Sequence, residues 1–241
     1  MGRAEKILSI LRKSIPDATI ALKFRNPLEL LVATILSAQC TDERVNMVTE
    51  KLFKKYRTAA DYARASLEKF EREIRPTGFF RSKARSVIGC CSAIVEKHGG
   101  RVPSSLGELV ELPGVGRKTA SIVLGHAFGK QAVAVDTHVR RVARRLGLSD
   151  SNDPEKIERD IMRALPRRMW TEASDLLIWH GRLTCTARKP ACGRCPLYAL
   201  CRWEEKTKYR TGGREGRGAR QPVSLRKQGG ASILLSPQTQ W

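Results

Sequence analysis

Acidic residues are scarce in this 241-residue chain: 24 Asp and Glu stand against 45 Lys and Arg, a formal charge of +21. A surplus of that size repels itself unless a polyanion is close, which puts nucleic acid first among candidate partners. Long apolar runs are missing as well. The most apolar uncharged run, Leu30–Thr41, is shorter than the roughly 18 residues a membrane span needs, so a soluble protein is expected. The start, Met1–Lys13, mixes both charge signs with Ile7, Leu8 and Leu11 at helical spacing and lacks the unbroken apolar stretch of a signal peptide. Lys6 stands where myristoylation asks for Ser or Thr. Strand signals are few and no internal repeat is evident. With 41% apolar residues the chain is still rich enough to build a core, which excludes compositional disorder over most of its length.

What is present is helical punctuation. Asn26-Pro27 reads as an N-cap leading into Leu28–Ala38, and Asp42 as a cap for a helix burying Val45, Val48, Leu52 and Tyr56. A loop at Arg75–Gly78 precedes a basic helix from about Arg81 to Lys97, which His98-Gly99-Gly100 would stop. Ser105–Glu108 fits a capping box for a helix ending at Leu112-Pro113-Gly114, and the next helix runs from near Gly116 to Phe128. Asp136 follows the apolar run Ala132–Val135 and precedes Val139, Val142, Ala143 and Leu146 at helical spacing. Asp153-Pro154 opens a further helix, and Trp170–His180 forms a last one before Gly181. An all-α protein is therefore expected. From about Thr207 on, seven Lys or Arg face a single acid among repeated glycines, the composition of a disordered basic tail.

Of the seven cysteines, Cys185, Cys192, Cys195 and Cys201 crowd into one C-terminal segment while Cys40, Cys90 and Cys91 stand apart as small buried residues. That is metal-site clustering in a reducing compartment, and on chemistry alone zinc and an iron–sulfur cluster suit four thiolates equally. In Leu112-Pro-Gly-Val-Gly-Arg-Lys118 a two-glycine turn between helices lets backbone N–H groups approach an anion, a helix-hairpin-helix pattern for a DNA phosphate in which Gly114, Gly116 and Arg117 are candidate contacts. Lys118 sits at the helix end where the macrodipole disfavours a cation. An amine there suits Schiff-base chemistry as well as it suits phosphate, and the small Ser121 and Gly125 beyond it would leave room for a substrate. Asp136 is a helix cap on its face, and an aspartate so placed also suits a site where positive charge develops on a sugar. His138 reads as structural. Gln39 ends an apolar helix and Phe79-Phe80 precedes a basic run; helix-end bonding and core packing explain them, or else they wedge into a duplex from which a base has been expelled.

Taken together, the stretch Leu112–Ala120, Val135-Asp-Thr-His-Val139 eighteen residues after the lysine, and the C-x6-C-x2-C-x5-C loop resemble endonuclease III, a family of bifunctional DNA glycosylase/AP lyases in the helix-hairpin-helix superfamily. The likeness runs from about Ile7 to Lys206 and leaves out the basic tail. It implies a six-helix domain over roughly 22–131 and an iron–sulfur domain built from 1–21 with 132–206, with DNA across the cleft between them. It also implies a [4Fe-4S] cluster on the four clustered cysteines, Lys118 as nucleophile, Asp136 as catalytic aspartate, and Gln39 and Phe79 as the inserted side chains, although an aromatic at 79 departs from the aliphatic residue usual there. The implied activity is removal of oxidised pyrimidines from double-stranded DNA through a Lys118 Schiff base, with strand cleavage by β-elimination at abasic sites. A monomer is implied, cytoplasmic and nucleoid-associated in a prokaryote, with the cluster shaping a loop that carries Arg182, Arg188, Lys189 and Arg194. A monofunctional mismatch or adenine glycosylase would share the hairpin and the cluster, but such members usually lack lysine at position 118. A non-catalytic DNA-binding module would leave Lys118, Asp136 and the cysteines unexplained.

Overall fold

Residues 1–210 are described by the structure, a computed structural model. Within them every regular element is helical: α1 (Arg3–Ser14), α2 (Pro27–Leu36), α3 (Asp42–Lys55), α4 (Ala59–Ala63), α5 (Leu67–Ile74), α6 (Phe80–His98), α7 (Leu106–Val110), α8 (Arg117–Ala127), α9 (Thr137–Leu146), α10 (Pro154–Ala164) and α11 (Trp170–Leu183), with short 3₁₀ turns between and after them. The all-α expectation holds. No helix among them is long and apolar enough to cross a membrane.

The buried side chains form two clusters. One joins α2–α8 around residues such as Leu30, Leu36, Phe70, Ile94 and Val123; the other joins α1 with α9–α11 and the cysteine loop around Ile7, Leu11, Val142, Ile157 and Leu177. The chain crosses from the second cluster to the first between Leu11 and Leu22 and returns between Leu124 and Val133. Helix α2 is buried from Glu29 to Leu36, which is why its apolar residues show no stripe: it is the central post of the first cluster.

Capping explains most of the boundaries. Asn26 accepts from Glu29 N (2.9 Å), Asp136 from Val139 N (2.7 Å) and Asp153 from Glu155 N (2.8 Å). Four details differ from the sequence expectation. The cap of α3 is Thr41, whose hydroxyl faces Arg44 N, and Asp42 is the first helical residue. Two helices, α4 and α5, went unforeseen because five and eight residues carry too little periodicity to read. Helix α11 runs through Gly181, which is buried and meets α9: a Cβ there would lie 2.9 Å from His138 Cβ. The basic tail expected from Thr207 begins as an ordered 3₁₀ turn, Glu204–Tyr209, with Tyr209 stacked on Trp203; residues 211–241, the rest of that tail, lie outside the described residues.

Candidate functional site

A cleft of about 780 Å³ runs between the two clusters, open solvent included, and both Lys118 and Asp136 line it. Helix α8 starts on Gly116, whose extended backbone (φ −86°, ψ 170°) sets Arg117 as the first helical residue and Lys118, exposed, as the second. Asp136 occupies the matching place ahead of α9, where Oδ1 takes the Val139 N–H; Oδ2 accepts no hydrogen bond among the described residues. Two helix N-termini thus open onto one space, and the cap and the cleft-facing carboxylate are the same residue. Ser121 also lines the cleft. Gly125 does not: its missing Cβ would lie 2.8 Å from Thr171 Cγ2, so this glycine serves the contact of α8 with α11 and makes no room for a substrate.

The turn before α8 is closed by Val115 N donating to Leu112 O at 3.0 Å, with both side chains buried. Gly114 adopts φ +75°, and a Cβ on it would stand 2.5 Å from Ser86 Cβ on α6, whereas one on Gly116 would meet nothing within 4 Å. The turn is therefore fastened on one side and open on the other, where the unpaired N–H groups of the first turn of α8 face out. Gly114→Ala is expected to cost about 1–2 kcal/mol in left-handed strain, beyond the Ser86 overlap, and to weaken binding to undamaged duplex; thermal unfolding and a binding titration measure the two. Arg117 does not present a free guanidinium. It pairs in bidentate fashion with Glu158 of α10 (2.6 and 3.0 Å), a carboxylate whose side chain is only 6% exposed.

Gln39 and Phe79 are, among the described residues, the two non-glycine positions with left-handed backbone (φ 52° and 47°), and both are exposed, Phe79 at 65%. An exposed phenyl ring on a strained backbone is not core packing. The loop carrying it is held by Lys83, buried on α6, whose ammonium donates to Thr77 O at 2.7 Å; burial pulls that amine below its usual range. Sequence reading passed over Lys83 as one cation in a basic run.

Cys185, Cys192, Cys195 and Cys201 line one small cavity beside His180, and all are free thiols. Arg145 laces the loop, donating to Cys185 Sγ (3.4 Å), Thr186 O (2.8 Å) and Ala187 O (3.1 Å) while its guanidinium lies 3.8 Å over Trp203. Burial, with the neighbouring thiols adding to it, pushes the Cys195 thiol up to about 11 and Cys192 upward. Crowded thiols so disfavoured as thiolates need a cationic centre to share. All four thiols line that one space, the donor set that a [4Fe-4S] cluster takes with one thiolate per iron. Cys90 and Cys91 are buried in the first cluster, with Cys90 pushed up to about 12 by that burial, while Cys40 is half-buried on the cleft. His138 is structural: burial lowers its pKa, and Arg141 Nη2 lies 3.2 Å from Nδ1. Arg188, Lys189 and Arg194 are exposed, but Arg182 is paired with Asp42 at 2.6 Å and stacked over Trp179.

Residues 32–167 match the family model of the HhH-GPD superfamily of base excision DNA repair proteins, and 185–201 match that of the iron–sulfur binding domain of endonuclease III. The chain is 53% identical over 200 residues to endonuclease III of Synechocystis, covering 83% of this chain and 91% of that one. It is 41% identical over 208 residues to endonuclease III of Escherichia coli, covering 86% and 99%. A solved structure of a trapped endonuclease III–DNA covalent intermediate superposes with a TM-score of 0.80 at 45% identity, covering 85% of this chain and 97% of that one.

Proposed function

The chain belongs to the endonuclease III family, within the HhH-GPD superfamily of base excision DNA repair proteins, and from that premise we propose that Lys118 and Asp136 carry its chemistry. It is a DNA-binding repair glycosylase with AP lyase activity and holds a [4Fe-4S] cluster. The finer reading takes duplex DNA with a damaged, oxidised pyrimidine or an abasic site as substrate and the protein as a monomer, cytoplasmic and nucleoid-associated in a prokaryote. Residues 22–131 form the domain that carries the hairpin, and 1–21 with 132–206 the cluster domain.

The target nucleotide leaves the stack and enters the cleft. Lys118 Nζ attacks the sugar C1′ as the glycosidic bond breaks and the base departs with a proton. Asp136 stabilises the positive charge that develops on the sugar. The sugar ring then opens as C1′–O4′ breaks and O4′ takes a proton, leaving the amine bonded to C1′ as a protonated Schiff base; this acidifies the C2′ hydrogen, whose removal expels the 3′ phosphate, and water releases the lysine. Gly114, Gly116 and the backbone of Arg117 hold a phosphate, while Gln39 and Phe79 enter the gap. The cluster, on Cys185, Cys192, Cys195 and Cys201, cross-links the loop bearing Arg188, Lys189 and Arg194. The observation that carries this reading is the convergence of Lys118 and Asp136, each at a helix N-terminus, on one cleft.

Borohydride trapping on a duplex containing an oxidised pyrimidine tests it. A covalent adduct is expected; excision without an adduct would indicate a monofunctional glycosylase, and binding alone a non-catalytic module. Asp136→Asn, which can still cap α9, is expected to slow base excision at least a hundredfold and cleavage of a preformed abasic site by less than tenfold, because only the first step expels a base.

A further inference from the structure

The wall of the cleft beyond Lys118 holds polar groups that this chemistry leaves unused. Lys118, Ser121, Ile122 and His126 fall at i, i+3, i+4 and i+8 on one face of α8, and all four line the cleft. At 1.5 Å per residue, His126 lies about 12 Å further along the helix axis than Lys118. The lining mixes apolar Leu22, Ile178 and Ala134 with polar side chains, of which Ser174 and Thr171 are already hydrogen-bonded. Two further groups stand out. Ser121 is 3% exposed and its hydroxyl makes no hydrogen bond among the described residues, yet it is not sealed from the cleft, since the sealed, unpaired side-chain atom among those residues is Tyr62 OH, in the first cluster. His126 Nε2 lies 3.2 Å from Oδ1 of Asp175, on α11, itself 8% exposed. Nδ1 of His126 has no partner among the described residues.

A cleft wall of apolar side chains beside polar groups still free to bond is how proteins read a small planar ligand. The sugar must stand at the Lys118 amine, and a base lying along this face of α8 meets Ser121 first and His126 beyond it. We propose that Ser121 and the His126–Asp175 pair are specificity residues that read the polar edge of the everted oxidised pyrimidine. Asp175 draws the imidazole proton to Nε2 and leaves Nδ1 as an acceptor. Nδ1 takes a hydrogen bond from a ring hydroxyl, and the Ser121 hydroxyl meets a ring carbonyl or N–H. A base that lacks the ring hydroxyl leaves Nδ1 without its partner, and a polar group left unpaired on binding is what gives such discrimination its strength.

The inference rests on the reading above, and the test separates the two. Single-turnover excision of thymine glycol and of dihydrothymine, which has no ring hydroxyl, is measured on otherwise identical duplexes, with cleavage of a preformed abasic site as the internal reference. His126→Ala is expected to lower thymine glycol excision at least tenfold relative to abasic-site cleavage and to bring the thymine glycol to dihydrothymine ratio near one. Asp175→Asn, which still offers an oxygen to Nε2–H, is expected to keep part of that selectivity. If the pair only ties α8 to α11, excision of both bases and abasic-site cleavage fall together along with the melting temperature, and the proposal is overturned. Unchanged selectivity in a folded His126→Ala protein overturns it equally, while wild-type excision and adduct remain. Wild-type protein that neither excises thymine glycol nor forms the adduct would sink the underlying reading and this inference with it.

Discussion

Lys118→Ala is expected to abolish the borohydride-trapped adduct and to slow both base excision and abasic-site cleavage by at least about a thousandfold, roughly 4 kcal/mol of transition-state stabilisation. Affinity for undamaged duplex should change by no more than a few-fold. The asymmetry follows from the local structure. The side chain is exposed into the cleft and neither caps nor packs anything, so its removal leaves α8 intact. On the proposed mechanism the phosphate contact belongs to backbone N–H groups that α8 leaves unpaired in any case. Gel-shift titration alongside single-turnover kinetics reads both halves. An undiminished adduct would remove Lys118 from its role.

The second large effect concerns the cysteine loop. Cys195→Ser is expected to give colourless protein that has lost its iron and sulfide and melts without a cooperative transition for the second cluster, in place of the yellow-brown colour of a four-iron cluster. From Thr184 to Tyr209 the chain forms only 3₁₀ turns, and Leu197 is its one fully buried large aliphatic side chain. Such a segment cannot offset its own ordering entropy by apolar burial, so metal binding supplies its folding energy. The loop also reaches back into the core: Arg3 donates to Leu146 O and to Leu200 O (2.7 Å), so its loss loosens α1 and α9 as well. Cys90→Ser, in the other cluster, should keep its colour. Iron content, visible absorption and thermal unfolding decide the comparison.

Much of this was legible in the sequence because the signals were local. The caps at Asn26, Asp136 and Asp153, the Gly114 turn and the cysteine spacing each depend on residues within a few positions of one another. What stayed hidden depends on pairs far apart in the chain. Glu158 means nothing until α10 brings it to Arg117, nor Asp175 until α11 brings it to His126. Gly181 reads as a stop because its use, the close passage of α9, is tertiary. Lys83 hides for the opposite reason: it resembles its neighbours in the basic run, and burial alone sets it apart.

The Arg117–Glu158 pair has a bearing on how damage is found. It joins the residue that follows the hairpin to α10 of the second cluster, with one carboxylate almost fully out of water, and breaking such a pair singly is costly. The hairpin is also riveted to α6 at Gly114. Phosphate anchor and lysine are thereby tied across to the cluster that carries the aspartate. A receptor tied in this way is expected to leave much of the bending to the duplex. Sites where stacking is already weakened then yield first, so that a worn joint in the DNA announces itself by its compliance before any atom of the base is touched.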